Sequence, residues 1–214
     1  MKFHVITPLA RFENFTDLVD MLEPKGVEWH IITDEGAEVS IDVDKEKYPW
    51  IHFYVCPNKG VKFFERCNYS INWFLDTQPL VSEDMYSILN DDDAYEPDYF
   101  SKISSVLMVV DHPIVITSME RGHNIPASAV GCRAHPPSKL WGVPENMRVG
   151  GVGVEQIMLK GRILSKFRIP LLNDGDGRFI VSVINDYSND VGYIPPATVW
   201  FNYFEPGRWD TSVS

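Results

Sequence analysis

The sequence predicts an α/β fold: one domain with a mixed, mainly parallel central sheet flanked by helices. Three observations predict it. Strand-like and helix-like segments alternate through the first half of the chain, the pattern of a parallel sheet covered on both faces. Phe3–Thr7 is a short, mostly apolar run, as strands buried on both faces are. The chain has 214 residues, 44% of them hydrophobic and 13% aromatic, which suits a single packed core.

The elements follow in order. Phe3–Thr7 is a short apolar run closed by Pro8, which reads as a buried strand. Phe15, Leu18, Val19 and Leu22 recur at helical spacing, and Pro24 and Gly26 end that helix. Val27–Thr33 and Trp50–Val55 read as the second and third strands. Phe64, Cys67, Ile71 and Phe74 mark a helix from Val61 to Leu75, and Met85–Leu89 is the fourth strand. A short helix is expected from Pro97 to Val106, with proline tolerated in its first turn. Leu107–Val110 and Ile114–Thr117 read as further strands. His123 to Arg148 is rich in Pro and Gly and reads as a long loop or small hairpins. The glycines of Gly150–Gly153 lack the strand–GxGxxG–helix setting of a dinucleotide site. Asn173–Gly177 reads as a turn, Phe179–Ile184 as a strand after it, and residues 197–210 as a last strand and turn.

The formal net charge of −11 argues against nucleic acid as a partner, because an acidic surface repels a phosphate backbone. No stretch approaches the ~20 apolar residues of a membrane span, and the first residues do not read as a secretion signal. Three widely spaced cysteines, Cys56, Cys67 and Cys132, fit neither a disulfide framework nor a zinc site. They suit a reducing compartment, the cytoplasm, or a host's cytoplasm if the chain is viral.

The chemistry concentrates at predicted strand ends. In such sheets ligands bind beyond the carboxyl ends of the strands, where Thr7-Pro8, Asp34 and Asp91–Asp93 all fall. Three consecutive aspartates repel one another, and a divalent cation with hard oxygen ligands, Mn²⁺ or Mg²⁺, relieves that repulsion. A solvated acidic turn capping the next helix is the plain alternative. Strand alternation would point Asp91 and Asp93 one way and Asp92 the other.

The run YSILNDDDAYEPDYFSKI resembles the metal-binding motif of the glycosyltransferase-A fold. HVITPLAR, VEWHIITDEG and GVKFFERCNYSINWFL add a resemblance to the glucuronyltransferases that build the proteoglycan linker, in the same order over roughly the first 120 residues. Small virus-encoded glycosyltransferases have comparable lengths. The resemblance implies a metal-dependent transfer of sugar from a nucleotide diphosphate sugar, a UDP-sugar, to a hydroxyl of a glycan or other acceptor. Residues 1–120 would form the donor half and 121–214 the acceptor half.

Carried over by matching motifs, Thr7, Pro8, Arg11, Asp34, Arg66 and Asn68 would hold the nucleotide, Asp34 and Arg66 at the base end. Asp92 would fix the ribose, and Asp93 with Asp91 the metal. NDGDGRFI offers Asp176, with Asp174 second, as the base of an inverting enzyme, unless both only hold a turn. Phe201 stands where the family has a histidine that approaches the metal; Asn202, Glu205 or Arg208 would then compensate, Arg208 on phosphate. Two rivals remain. A nucleotidyltransferase also uses aspartates and a metal, but normally has a glycine-rich loop after its first strand. A non-catalytic carbohydrate-binding module would not need this set of residues together.

Overall fold

A computed structural model describes residues 1–35, 43–57, 63–121, 149, 153–172 and 174–201. The first half follows the sequence reading closely: β1 (Phe3–Pro8), α1 (Phe15–Leu22), β2 (Glu28–Asp34), β3 (Ile51–Cys56), α2 (Phe63–Thr77), β4 (Met85–Ile88) and α3 (Tyr99–Leu107). Gly26, at φ 63°, supplies the left-handed residue that ends the turn after α1. Between β4 and α3 lies β5 (Ala94–Tyr95), too short for a sequence signal. Then come β6 (Ile114–Arg121), β7 (Ile157–Lys160), α4 (Gly161–Leu164), α5 (Gly175–Asp186) and β8 (Val191–Phe201).

The eight strands among the described residues form one sheet in the order β3-β2-β1-β4-β7-β6-β8-β5. β1 to β4 pair in parallel, β7 runs antiparallel to both β4 and β6, β8 is parallel to β6, and β5 is antiparallel to β8. This is the mixed, mainly parallel sheet expected. The sheet curls. β4 and β5 are separated by a tight turn, yet β5 joins the far edge, and Ser87 on β4 hydrogen-bonds Tyr95 on β5. Opposite Thr117 and Ser118, β8 bulges through Pro195-Pro196-Ala197, because proline has no N–H for the ladder; the Ser118 hydroxyl donates instead to the Pro195 carbonyl at 2.8 Å.

Successive strand residues enter opposite cores. Val5, Ile31, Met85, Val115 and Met158 pack with α1 and α3, whereas Ile6, Ile32, Tyr86, Ile116 and Leu159 pack with α2, α4 and α5. That is the two-sided burial the apolar strands predicted.

Two expected strands are absent. Residues 107–110 are the end of α3 and a turn, not a strand. The Met108 N–H still donates to the Ser104 carbonyl, and Met108 and Val109 are 78% and 83% exposed. A short apolar run carries no periodicity to separate a strand from a fraying helix end. Phe179–Ile184 lies inside α5, where Phe179, Ile180 and Val183 turn one helical face into the core. Its β-branched composition suggested a strand, and packing overrode that propensity. Nor do the glycines of the 173–177 segment form a free turn: Gly175 and Gly177 begin α5. A Cβ on Gly175 would stand 2.0 Å from the Pro170 carbonyl oxygen, so only glycine lets the helix start against that loop.

Candidate active site

β2 and β3 extend the sheet to one side of β1, and β4 lies on the other. The loops after β1 and β4 leave the sheet side by side at the carboxyl ends of these two parallel strands, the place where such sheets bind ligands in a crevice. Arg11 follows β1, and Asp91–Asp93 follow β4.

The acidic run is a turn rather than an extension of β4, with the Asp93 N–H donating to the Asn90 carbonyl at 3.2 Å. Strand alternation therefore does not apply, and the predicted sorting of the three side chains is incorrect. Asp91 and Asp92 both reach Arg11, while Asp93 hydrogen-bonds Glu155. All three are buried, at 2%, 8% and 0% exposure.

Each aspartate has a different partner set. Asp91 Oδ2 accepts from the backbone N–H groups of Ala10 and Arg11, each at 2.6 Å, and its Oδ1 accepts from the Arg11 guanidinium. The Asn14 amide donates to the Asp91 carbonyl at 2.9 Å. Both carboxylate oxygens of Asp91 thus fasten the β1–α1 loop across the crevice. Asp92 lies 3.5 Å from the other arm of Arg11. Asp93 sits deepest.

Glu155, 2% exposed, stands over this turn from the 3₁₀ turn that precedes β7. It accepts from the Asn90 amide. Burial drives its carboxyl well above the usual range, and the charges of Asp176 and Asp92 push it further the same way. Asp176 is in the first turn of α5, and burial raises its affinity for a proton too, while backbone N–H groups at the helix start oppose the shift. Asp174, its rival, is partly exposed and paired with Arg178 at 2.8 Å; that hydrogen bond holds it below the ordinary carboxylate range. The structure brings Asp176 to the acidic cluster and leaves Asp174 outside it.

Asp34 and Arg66 meet at 3.5 Å between the end of β2 and α2. One helical position on, burial raises the Cys67 thiol to about 11, and the charges of Asp91, Asp92 and Asp34 add to the shift against Arg11. The Asp34–Arg66 pair and the acidic turn are therefore parts of one region. Asn68 faces the segment before α5. Its amide donates to the carbonyls of Pro170 at 3.1 Å and Leu172 at 3.4 Å, which seats α5. Thr7 is buried, its hydroxyl accepting from the Trp29 indole at 2.9 Å, and Pro8 ends β1. Arg208, Asn202 and Glu205 lie outside the described residues.

The sequence reading missed Glu155. Its signal was a lone carboxylate in GVGVEQIML, an otherwise uncharged run, which is costly unless the site uses it. Among the described residues no three His, Cys, Asp or Glu side chains converge as a ready metal cage. The donor set of Asp92 and Asp93, hard oxygens in a buried and strongly acidic setting, still fits a divalent cation whose other ligands are water and phosphate, the usual habit of Mg²⁺. Cys56 and Cys67 are reduced thiols, and no helix among the described residues is long and apolar enough to cross a membrane.

No protein-family model and no curated protein matches the chain. Solved structures do. S. aureus TarS, residues 1–349, superposes with a TM-score of 0.62 at 14% identity, covering 93% of this chain and 59% of that one. The same fragment has been solved with UDP-GlcNAc. A putative glucose-1-phosphate thymidylyltransferase from Bacillus anthracis gives a TM-score of 0.50 at 12% identity, over 90% of this chain and 85% of that one. A 4-diphosphocytidyl-2C-methyl-D-erythritol synthase gives 0.53 at 10%, over 91% and 88%. At such identities the likeness concerns the fold, and the chain spans well under two thirds of the TarS structures, 37% of the longer one. The chain thus has the glycosyltransferase-A-like α/β fold, shared with TarS and with nucleotidyltransferases.

Proposed function

We propose that the chain is a glycosyltransferase that moves a sugar from a UDP-sugar to a hydroxyl of a glycan or other acceptor. One observation carries the reading. The Asp34–Arg66 pair, the buried acidic turn and the proton-hungry Asp176 gather near the carboxyl ends of β1, β2 and β4. The UDP-GlcNAc complex of TarS, a neighbour in fold, supports a donor of that class.

In this reading Asp34 and Arg66 bind the base and Arg11 holds the loop beneath the ribose. Asp92 and Asp93 would hold Mn²⁺ or Mg²⁺, which when bound neutralises the leaving diphosphate. Asp91 spends its oxygens on the loop and is no longer assigned to the metal. Asp176 takes the proton from the acceptor hydroxyl; its burial favours the protonated product of that step, as a general base needs. Arg208 remains assigned to phosphate, and residues 121–214 to the acceptor. A donor screen for UDP release, with and without Mn²⁺, tests the reading. Release in no condition, from any UDP-sugar, removes it.

The second reading is nucleotidyl transfer to a sugar phosphate, favoured by the two nucleotidyltransferase neighbours. It releases pyrophosphate rather than UDP, so product analysis separates the two.

A further inference from the structure

The turn that precedes β7 is built around one side chain. The Gly153 N–H donates to Gln156 Oε1 at 3.0 Å, and the Gln156 N–H returns to the Gly153 carbonyl at 3.1 Å. The Gln156 amide also donates to the Thr117 carbonyl at 3.0 Å, and the Thr117 hydroxyl to the Gln156 carbonyl at 3.2 Å. The first two bonds close the turn, and the last two tie it to β6. A Cβ on Gly153 would lie 2.4 Å from Glu155 Oε2 and 2.8 Å from the Met119 methyl, so glycine there leaves the carboxyl its space. The turn also packs against β4, β8 and α5. From it Glu155 binds Asn90 and Asp93, the two ends of the acidic turn, and lies in the field of Asp176.

We propose that Glu155 is a positioning residue: it braces the Asn90–Asp93 turn against the β6–β7 region, so that Asp93 and Asp176 keep a fixed separation across the crevice. The proposal rests on the transferase reading for its consequence, not for its geometry. A rigid second layer behind reacting groups is what holds them within the small tolerance that catalysis demands. The bond from Asn90 needs only a carboxyl oxygen as acceptor, which an amide oxygen can replace, so that part of the brace does not depend on a negative charge at Glu155.

The test uses the full chain and three variants. Glu155→Gln keeps an acceptor for Asn90 and gains a donor for Asp93. Glu155→Ala removes both contacts. Gly153→Ala keeps the carboxyl but displaces it. Amide hydrogen exchange of residues 88–95, read without any substrate, is expected to quicken about tenfold in Glu155→Ala and Gly153→Ala and to stay near wild type in Glu155→Gln. In donor turnover the same two variants are expected to lose about 30-fold in kcat, with donor KM within about threefold, and Glu155→Gln to lose less than about threefold. If Glu155→Ala fails to fold, Gly153→Ala against Glu155→Gln carries the comparison. Wild-type exchange and turnover in Gly153→Ala overturn the proposal. So does a Glu155→Gln enzyme as slow as Glu155→Ala, since the carboxyl would then take part in the chemistry. A wild-type chain that turns over no donor defeats the transferase reading alone, and the exchange experiment still judges the brace.

Discussion

The two rims of the parallel strands bury titratable groups by opposite means. At the amino ends, His4, His30 and His52 stack across β1, β2 and β3 with ring centroids 5.2 and 5.1 Å apart, and Tyr86 stacks on His4 at 4.4 Å. Every imidazole there has a partner of this chain. His4 Nδ1 and His30 Nε2 are 2.9 Å apart, His4 reaches Asp84 at 3.2 Å, His30 the Tyr54 hydroxyl at 3.2 Å, and His52 reaches Glu28 at 2.9 Å. At the carboxyl ends Arg11 neutralises Asp91, but around Glu155 the strongest neighbouring charges are those of other carboxylates, Asp176 and Asp92. The first rim is complete within the fold and stabilises it. The second gathers like charges in a crevice, a cost that a bound cation and diphosphate would offset.

The sharpest way to break that contrast is to alter one residue on each rim. Asp93→Ala should cut metal-dependent UDP release by about 10³-fold, several kcal/mol of transition-state stabilisation, while circular dichroism stays native. His30→Gln should leave turnover within about twofold, because its rim lies away from the crevice. Equal losses in the two variants would erase the distinction. Asp176→Asn should lower kcat by about 10²-fold with donor KM nearly unchanged, as loss of a general base does. A rise in donor KM without a fall in kcat would move Asp176 to the donor site instead.

Asp91 sharpens the comparison from inside the acidic rim, since it behaves as the histidines do. Asp91→Ala strands two backbone N–H groups and a guanidinium, and should cost about 3 kcal/mol in urea unfolding. A variant as stable as wild type would return Asp91 to the pool of metal ligands.

Legibility differed along the chain for physical reasons. β1 to β4, α1 and α2 announce themselves because two-sided burial makes strands mostly apolar and burial of one face makes helices periodic. Thr7, Asp34 and the acidic turn could be placed because loops leave such strands at a common rim. The order of partners around the turn was not legible: nothing in DDD tells which aspartate meets Arg11, since the turn geometry decides it. α5 was misread because Phe179–Ile184 owes its helix to the core under it, not to local propensity. Glu155 was missed because its significance arises only when β7 inserts antiparallel beside β4, a pairing more than 60 residues apart in sequence. The resemblance to linker glucuronyltransferases remains one of sequence motifs, and TarS and the nucleotidyltransferases share the fold.

The histidine rim makes its own prediction about pH. Burial, with the charges of His4 and His52, depresses His30 from its ordinary 6.5 to about 3, and burial also lowers His4. A group whose folded pKa lies below its unfolded value contributes stability that is fully present above 6.5 and is lost as pH falls toward 3. Asp84, Glu28 and Tyr54 face the same stack and temper the loss. Urea unfolding should therefore show about 2 kcal/mol less stability near pH 5 than near pH 7.5, and His30→Gln should remove most of that difference. An unchanged slope in the variant would assign the acid sensitivity to the carboxylate rim.

The smallest expected effect decides between two neighbours in one helix turn. By sequence Asp174 stands second to Asp176, and in the structure it is partly exposed and bound to Arg178, four residues on. Exposed pairs of this spacing contribute little, and a solvated carboxylate outside the crevice cannot take a proton from a substrate within it. Asp174→Asn should therefore keep kcat within about twofold, against the roughly hundredfold loss in Asp176→Asn. Were Asp174→Asn the slower enzyme, the start of α5 would have to rotate on substrate binding, and the present crevice would be its resting rather than its working form.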